Sequence, residues 1–171
     1  TQQLLIESQR ERNNIMNGPF SADRKRELTD TIVIHCSATP PTMDIGVEKI
    51  KEWHVKDNGW DDVGYHFIIT RDGTIEPARP EDMQGAHAPR VNDRSVAICL
   101  IGGSDANGGW SNNFTDEQWV TLKALLLNLT KKYEIKKIIG HYQVDDKKEC
   151  PSFKVPEYLE ENNLQEYIYI G

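Results

Sequence analysis

Cysteine is scarce in this chain, with only Cys36, Cys99 and Cys150 among 171 residues. Three cysteines cannot all pair within one chain, and domains built on disulfide frameworks are short and rich in cysteine. The scarcity therefore excludes a disulfide scaffold. It leaves at least one thiol for another use or for none.

Long hydrophobic runs are missing as well. No stretch of about 18 apolar residues is present, so a membrane-spanning helix is not expected. The first residues, TQQLLIESQRERNN, lack the apolar segment of a secretory signal. We therefore expect a soluble protein whose given chain carries no visible signal peptide.

An excess of positive charge is the third absence. Lysine and arginine number 20 against 27 aspartate and glutamate residues, a net charge of -7. Surfaces that bind nucleic-acid phosphates need clustered lysine and arginine, so no nucleic-acid partner is expected. The length and the hydrophobic fraction of 37% instead predict one domain with a core of ordinary size.

The chain does contain an alternation of β-branched runs and amphipathic segments. An Asp-Gly turn between two of the runs predicts a hairpin, and Thr115 with Gln118 three residues later predicts a capping box at the start of the longest helix. Strands alternating with helices predict an α/β fold, a single domain with a central mixed sheet flanked by helices. The predicted strands are 31–37, 64–70, 75–77, 95–101 and 136–141, and the predicted helices are 45–56, 115–133 and 155–161.

The first 28 residues differ in composition from the rest. They are polar around a small Leu-Leu-Ile cluster and are broken by Asn17-Gly18-Pro19. Such a pattern is typical of short surface helices ahead of a main domain. We therefore expect a helical extension at residues 1–28 and the domain proper at 29–171.

His35 is the first candidate for chemistry because it lies at the end of an apolar strand. A buried imidazole is costly unless it is hydrogen-bonded or binds a ligand. A core histidine satisfied by a backbone carbonyl is an alternative of at least equal weight. The neighbouring Cys36 points to the opposite face of the sheet, since strand side chains alternate, so the two residues are not expected to share a site.

His141 and Cys150 follow another short strand, nine residues apart. A histidine and a cysteine from nearby positions, joined by a third ligand from a distant strand, fit a zinc site. Three protein ligands leave the fourth tetrahedral position to water, which is typical of catalytic rather than structural zinc. As spacing alone, this pattern is weak.

At these residues the chain resembles the type 2 N-acetylmuramoyl-L-alanine amidases, which include phage lysozymes of amidase activity and the peptidoglycan recognition proteins. The resemblance covers about residues 30 to 155, and six blocks in order are far more specific than any one of them. The blocks are Ile34-His35-Cys36-Ser37-Ala38-Thr39, Gly59 to Phe67 (GWDDVGYHF), Arg71-Asp72-Gly73, Gly85-Ala86-His87-Ala88, Ser95 to Gly103, and Gly140-His141 with Lys148-Glu149-Cys150-Pro151.

The resemblance implies a peptidoglycan-recognition-protein-like fold and a hydrolase that cleaves the amide between N-acetylmuramic acid and L-alanine. It makes His35, His141 and Cys150 the ligands of a Zn²⁺ ion. It places Tyr65 and Lys148 beside the metal as catalytic side chains. The Lys-x-Cys ending is similar to that of the phage lysozyme branch, while a loop about one residue longer leaves Lys147 as a second candidate for the lysine.

Three further residues are candidates for contact with substrate. His87 is expected to edge the groove, with a structural role at even weight. Asn92 could meet a muropeptide, although a solvated loop is an equal alternative. Trp60 could line the groove, although a core role is more common for tryptophan. His66, next to Tyr65, is expected to point the other way into the core.

The resemblance also sets the expected partners and alternatives. The expected substrate is peptidoglycan or a muropeptide, the expected state is a monomer, and an endolysin of this kind is made in the host cytoplasm and acts on the cell wall. The alternatives are a muropeptide-binding module that does not cleave, a lysozyme-type regulator of a phage RNA polymerase, and a zinc hydrolase acting on a different amide.

Overall fold

The computed structural model describes residues 24–60 and 62–170. Within these residues, five strands and three helices carry the fold, together with a π-helical turn at Trp53–Asp57 and short 3₁₀ turns at His141–Gln143 and Gln165–Tyr167. The strands are β1 (Thr31–Cys36), β2 (Phe67–Ile69), β3 (Ile75–Pro77), β4 (Ser95–Leu100) and β5 (Lys137–Gly140), and the helices are α1 (Val47–Glu52), α2 (Asp116–Lys132) and α3 (Val155–Glu161).

The strands form one mixed sheet in the order β3-β2-β4-β1-β5. β1 lies between β4 and β5 and is parallel to both, β2 is parallel to β4, and β3 is antiparallel to β2. All six residues of β1 and of β4 are buried, which agrees with their nearly continuous apolar sequences, since inner parallel strands are covered on both faces. The expected α/β fold with a mixed sheet is confirmed.

The two faces of the sheet differ in what covers them. One face, which we call the helical face, presents Ile32, Ile34 and Ile98 to α2 and α3 in the largest apolar cluster. The other, which we call the site face, presents Val33 and His35 and is covered by α1 and by loops. Because side chains alternate along a strand, neighbouring residues of β1 belong to different environments.

Several predicted boundaries shift. β2 begins at Phe67, three residues later than predicted. The carbonyls of the three preceding residues instead accept from backbone N–H groups beyond β3, those of Ala86, Arg79 and Ala78. The predicted helix at 45–56 is α1 followed by the π-helical turn. The predicted strand at 136–141 ends at Gly140, and His141 begins a 3₁₀ turn.

Two local predictions are confirmed. The capping box of α2 has Thr115 accepting from the Gln118 backbone N–H at 3.1 Å, while the Gln118 side chain accepts from the Thr115 N–H at 2.9 Å. The hairpin between β2 and β3 turns at Gly73, whose φ is +85°. A Cβ at Gly73 would also lie 2.8 Å from the Glu117 carbonyl oxygen, so both the positive φ and the close contact require glycine there.

Of the expected extension at residues 1–28, the structure describes residues 24–28. Residues 24–28 are not helical, and Lys25 forms a bridge with Met83. The Arg26 guanidinium donates to the carbonyls of Glu81 and Met83, each at 2.8 Å. These residues therefore pack as part of the domain, while the remainder of the expected extension lies outside the described residues. Among the described residues, no helix is both long and apolar enough to cross a membrane.

Candidate metal centre

His35, His141 and Cys150 come together at one edge of the sheet. His35 is the fifth residue of β1, and His141 directly follows β5, its parallel neighbour. The register pairs Ile34 with Gly140, so the two histidines are adjacent, with ring centroids 4.6 Å apart. Cys150 arrives from the loop after the 3₁₀ turn. The ligand atoms of the three residues all lie within 4.8 Å of one another, a geometry that could hold a metal ion.

Cys150 is 5% exposed, and burial raises the pKa of its thiol. The sulfur accepts a hydrogen bond from the Cys36 backbone N–H at 3.1 Å and lies 3.9 Å from Nδ1 of His35. A hydrogen bond from an amide favours the charged form of its acceptor. Cys36 is not part of the ligand cluster, but its thiol does not point away from the site as expected, since it interacts with that of Cys150. The backbone of Cys36 also serves the site.

The histidines of the cluster are neutral at ordinary pH. Burial, reinforced by the neighbouring histidines, holds the pKa of His35 well below its usual value. Burial also lowers the pKa of His141, opposed by Asp145, whose Oδ2 lies 4.0 Å from Nε2 of His141. Neutral imidazoles are the form that binds metals, so burial favours the form of both side chains that could hold a metal ion.

Tyr65 lies against the cluster. Its ring centroid is 5.0 Å from that of His35 and 5.4 Å from that of His54. Burial raises the pKa of the phenol well above its usual value, so the hydroxyl keeps its proton and can donate it in a hydrogen bond. The structure thus brings Tyr65 beside the candidate ligands.

His54 has a role that the sequence did not indicate. It lies within the predicted helix 45–56, but the π-helical turn directs its ring between Trp60 and Tyr65. Its Nδ1 accepts from the Gly64 backbone N–H at 2.8 Å, and burial lowers its pKa to about 4. A π-turn cannot be read from apolar spacing, because it adds one residue to a helical pattern that is otherwise unchanged.

Lys147 and Lys148 are both exposed and face different depressions. Lys148 lines one of about 400 Å³ together with Trp110 and Tyr142. Lys147 lines one of about 580 Å³ together with Arg90, His141 and Asp145. After burial, the positive charge of Lys148 also lowers the pKa of His141.

The three residues expected to touch substrate lie at different depths. Trp60 is half-buried, with its ring 4.5 Å from that of His54. His87 does not edge a groove: it is 7% exposed and lies behind His35, with its Nδ1 2.9 Å from Nε2 of that residue. Asn92 is fully buried, and its Oδ1 accepts from the backbone N–H groups of His87 and Ala88. Neither His87 nor Asn92 offers a surface to a substrate in this conformation, because both close the loop behind the cluster.

Two buried polar residues support the loops around the site. His66 is buried and hydrogen-bonded as expected, but it lies on the site face, where it accepts from the Ala97 N–H at 3.0 Å and lies 2.7 Å from the Met83 carbonyl. Arg79 is 1% exposed and donates to the carbonyls of Val63 and Gln84. Nothing in the sequence indicates this role, since an arginine before a proline in a polar stretch is typical of a solvated loop.

The comparisons with known proteins agree with one another. A family model described as N-acetylmuramoyl-L-alanine amidase matches residues 24–153. The endolysin of Escherichia phage T7 is 47% identical over 141 residues, which are 82% of this chain and 92% of that protein.

Solved structures give the same result. The N-acetylmuramoyl-L-alanine amidase LysC from Clostridium intestinale is 33% identical, with a TM-score of 0.69 over 87% of this chain and 93% of its own. A Drosophila peptidoglycan recognition protein LB mutant in complex with tracheal cytotoxin is 26% identical, with a TM-score of 0.71 over 92% of this chain and 94% of its own.

Proposed function

The chain belongs to the N-acetylmuramoyl-L-alanine amidase family, and from this premise we propose that it is a zinc-dependent endolysin of a phage or prophage. The bond it cleaves is the amide between the lactyl group of N-acetylmuramic acid and L-alanine in peptidoglycan. The observation that carries the zinc dependence is the cluster of His35, His141 and Cys150. We also propose that the chain acts as a monomer on the bacterial cell wall.

The donor set fits zinc. Two imidazoles and one thiolate are ligands that zinc prefers, and three protein ligands leave one tetrahedral position open. Burial alone opposes ionisation of Cys150, whereas a dication next to the sulfur reverses this, since a coordinating thiol is deprotonated. Zinc, when bound, supplies a Lewis acid that activates water and polarises the scissile carbonyl.

The residues around the cluster supply the remaining chemistry. We assign to Tyr65, whose phenol keeps its proton and whose ring lies beside that of His35, the role of donating a hydrogen bond to the substrate carbonyl or to the oxyanion that forms from it. Lys148 adds a positive charge on the exposed side of the site, where negative charge develops on attack. Trp60 is proposed to contact the substrate at the rim, next to His54.

The two depressions suit a branched substrate. The two depressions share Tyr142, and the one lined by Lys147 also contains His141. A muropeptide has a sugar arm and a peptide arm that meet at the scissile amide, and we propose that each depression receives one arm. The neighbouring structure with tracheal cytotoxin supports binding of such a ligand by this fold.

The direct test is mass analysis of peptidoglycan digested with the purified chain. We expect new alanine amino termini, separated glycan and peptide that together gain one water, and no new reducing sugar ends. Cys150→Ser is the matched control, because it keeps the fold while weakening a ligand. Reducing ends without free alanine amines would refute the proposal, and wild-type activity after exhaustive chelation would refute its zinc dependence.

The roles beside the metal are tested by variants that are not ligands. Tyr65→Phe and Lys148→Ala are expected to retain zinc and lose turnover, by about 10²–10³-fold if each removes a donor to the oxyanion. Lys147→Ala is the matched control for Lys148→Ala, and we expect it to retain turnover. The reverse result, with Lys147→Ala inactive and Lys148→Ala active, would move the catalytic role to Lys147.

A further inference from the structure

A chain of hydrogen bonds runs from His35 away from the metal cluster into the protein. Nε2 of His35 lies 2.9 Å from Nδ1 of His87, and Nε2 of His87 lies 3.1 Å from Oγ of Ser95. Ser95 Oγ in turn lies 2.7 Å from the carbonyl oxygen of Val91. All three side chains are buried, with His35 1%, His87 7% and Ser95 0% exposed. Water therefore does not substitute for any partner in the chain.

The direction of each hydrogen bond follows from the Val91 carbonyl, at the end of the chain away from His35. A carbonyl oxygen only accepts, so the single proton of the Ser95 hydroxyl points to Val91. Ser95 Oγ must then accept from Nε2–H of His87, which leaves Nδ1 of His87 without a proton. That nitrogen accepts from Nε2–H of His35. The remaining nitrogen of His35, Nδ1, is a bare lone pair, and it is the atom that faces Cys150 Sγ at 3.9 Å.

The ring of His87 is held in place by its own loop. Asn92 Oδ1 accepts from the backbone N–H groups of His87 and Ala88, each at 3.0 Å. Gly85 allows the ring its position, because a Cβ there would lie 2.7 Å from Cδ2 of His87. The acceptor offered to His35 is therefore rigid, as an orienting group must be.

We propose that His87 is a positioning residue which, oriented by Ser95, fixes the tautomer and ring direction of His35 so that Nδ1 binds the metal. The inference rests on the metal site of the proposed function. It replaces the expected contact between His87 and substrate. Partners of this kind behind a metal-binding histidine typically change metal affinity by about 10–100-fold when they are removed.

The variants differ in whether they leave a hydrogen-bond acceptor at the position of His87 Nδ1. His87→Leu removes the acceptor, and we expect zinc affinity, measured by competition with a chromophoric chelator, to fall about 10–100-fold. His87→Asn places an amide oxygen near the same position and should restore most of the loss. His66→Asn is the matched control, a buried histidine of the same face that bonds no candidate ligand, and it should leave the affinity within about 3-fold.

Ring-nitrogen NMR of the ¹⁵N-labelled metal-free chain supplies a second readout that a purely structural role would not move. We expect Nε2 of His35 and Nε2 of His87 to carry the protons. Ser95→Ala, which removes the orienting hydroxyl with little loss of volume, should mix the tautomers of His87 and weaken zinc binding less than His87→Leu. It also tests the chain of bonds if His87→Leu fails to fold.

Two results would overturn the inference: folded His87→Leu with zinc affinity within about 3-fold of the parent, or a proton on Nδ1 of His35 in the metal-free chain. Failure of the proposed function gives a different result. A parent chain that bound no zinc would refute the zinc proposal, while the ring-nitrogen spectrum would still decide whether His87 and Ser95 fix the tautomer of His35.

Discussion

The two faces of the central sheet are built from the same strands, but buried imidazoles are concentrated on one of them. On the helical face, β1 and β4 contribute aliphatic residues such as Ile34 and Leu100, which pack on α2 and α3. On the site face the same two strands contribute His35 and Ser95, and loops add His66 and His87. One residue along the strand separates an aliphatic core from a network of buried imidazoles.

We expect the two faces to contribute to different properties of the domain. Burial of aliphatic area stabilises the domain without direction, whereas each polar group of the site face needs a specific partner to offset its desolvation. The helical face is therefore expected to set the free energy of unfolding. The site face is expected to set metal affinity and the response to acid. Four changes, ordered by expected effect at neutral pH, test this division.

Leu126→Ala should have the largest effect on stability. Leu126 is fully buried in the helical-face cluster, and truncation of such a residue costs about 2–5 kcal/mol through lost burial and a residual cavity. Urea unfolding of the metal-free chain measures the loss. Zinc affinity of the folded variant should match that of the parent, and a coupled drop in affinity would break the proposed separation of the faces.

His66→Asn should cost about 1–3 kcal/mol at pH 7, because one of two buried hydrogen bonds is lost. Burial, together with Arg26 and Arg79, lowers the pKa of His66 to about 3, opposed by the Met83 carbonyl and Glu81. Between its ordinary pKa near 6.5 and about 3, the unfolded state binds a proton that the folded state does not.

Stability is therefore lost as pH falls through that window, by about 1.4 kcal/mol per pH unit for one proton. His35 and His87 have lowered pKa values and add to the slope in the same direction. Urea unfolding at several pH values should give a shallower dependence for His66→Asn than for the parent. Equal slopes would show that His66 does not remain neutral in the folded state.

Thr115→Ala, on the helical side, should cost about 1 kcal/mol by removing the cap of α2. Its hydroxyl also donates to the Arg71 carbonyl at 2.6 Å, and this hydrogen bond is lost as well. A decrease in the free energy of unfolding well below about 0.5 kcal/mol would contradict the observed cap. Thr115→Ser retains the hydroxyl and is the matched control. Neither change should alter zinc binding.

Asp30→Asn should have the smallest effect, below about 1 kcal/mol, because its partner Arg94 is half exposed and can be solvated. The hydrogen bond from Arg94, with a further one from Thr31, lowers the pKa of Asp30 despite burial. The contribution is therefore present above the ordinary carboxyl pKa and lost as pH falls through the lowered one. The difference between parent and variant should shrink below about pH 4.

The aliphatic strands and α2 could be predicted from the sequence because their signals are local. Alternation of β-branched residues, a capping box and an Asp-Gly turn each act within a few positions. The proximity of His35, His141 and Cys150 was predicted by resemblance, since spacing alone did not distinguish His35 from a core histidine.

The buried residues that hold the site residues and their loops in place could not be predicted from the sequence in the same way. His87, Ser95 and Val91 form a chain because a loop folds back under β1, and this contact has no periodic signal. Arg79 and the π-turn that directs His54 were missed for the same reason. Both depend on which carbonyls and rings the tertiary structure places nearby.

The metal cluster draws its members from positions 35, 141 and 150, so 115 residues separate its first and last members. During synthesis on a ribosome, the complete set of candidate ligands does not exist until residue 150 has been translated. A prematurely terminated chain ending before residue 150 would keep the sequences of β1 and β4 but would lack the thiol. The site therefore depends on a contact between distant parts of the chain and cannot form from any short segment of it.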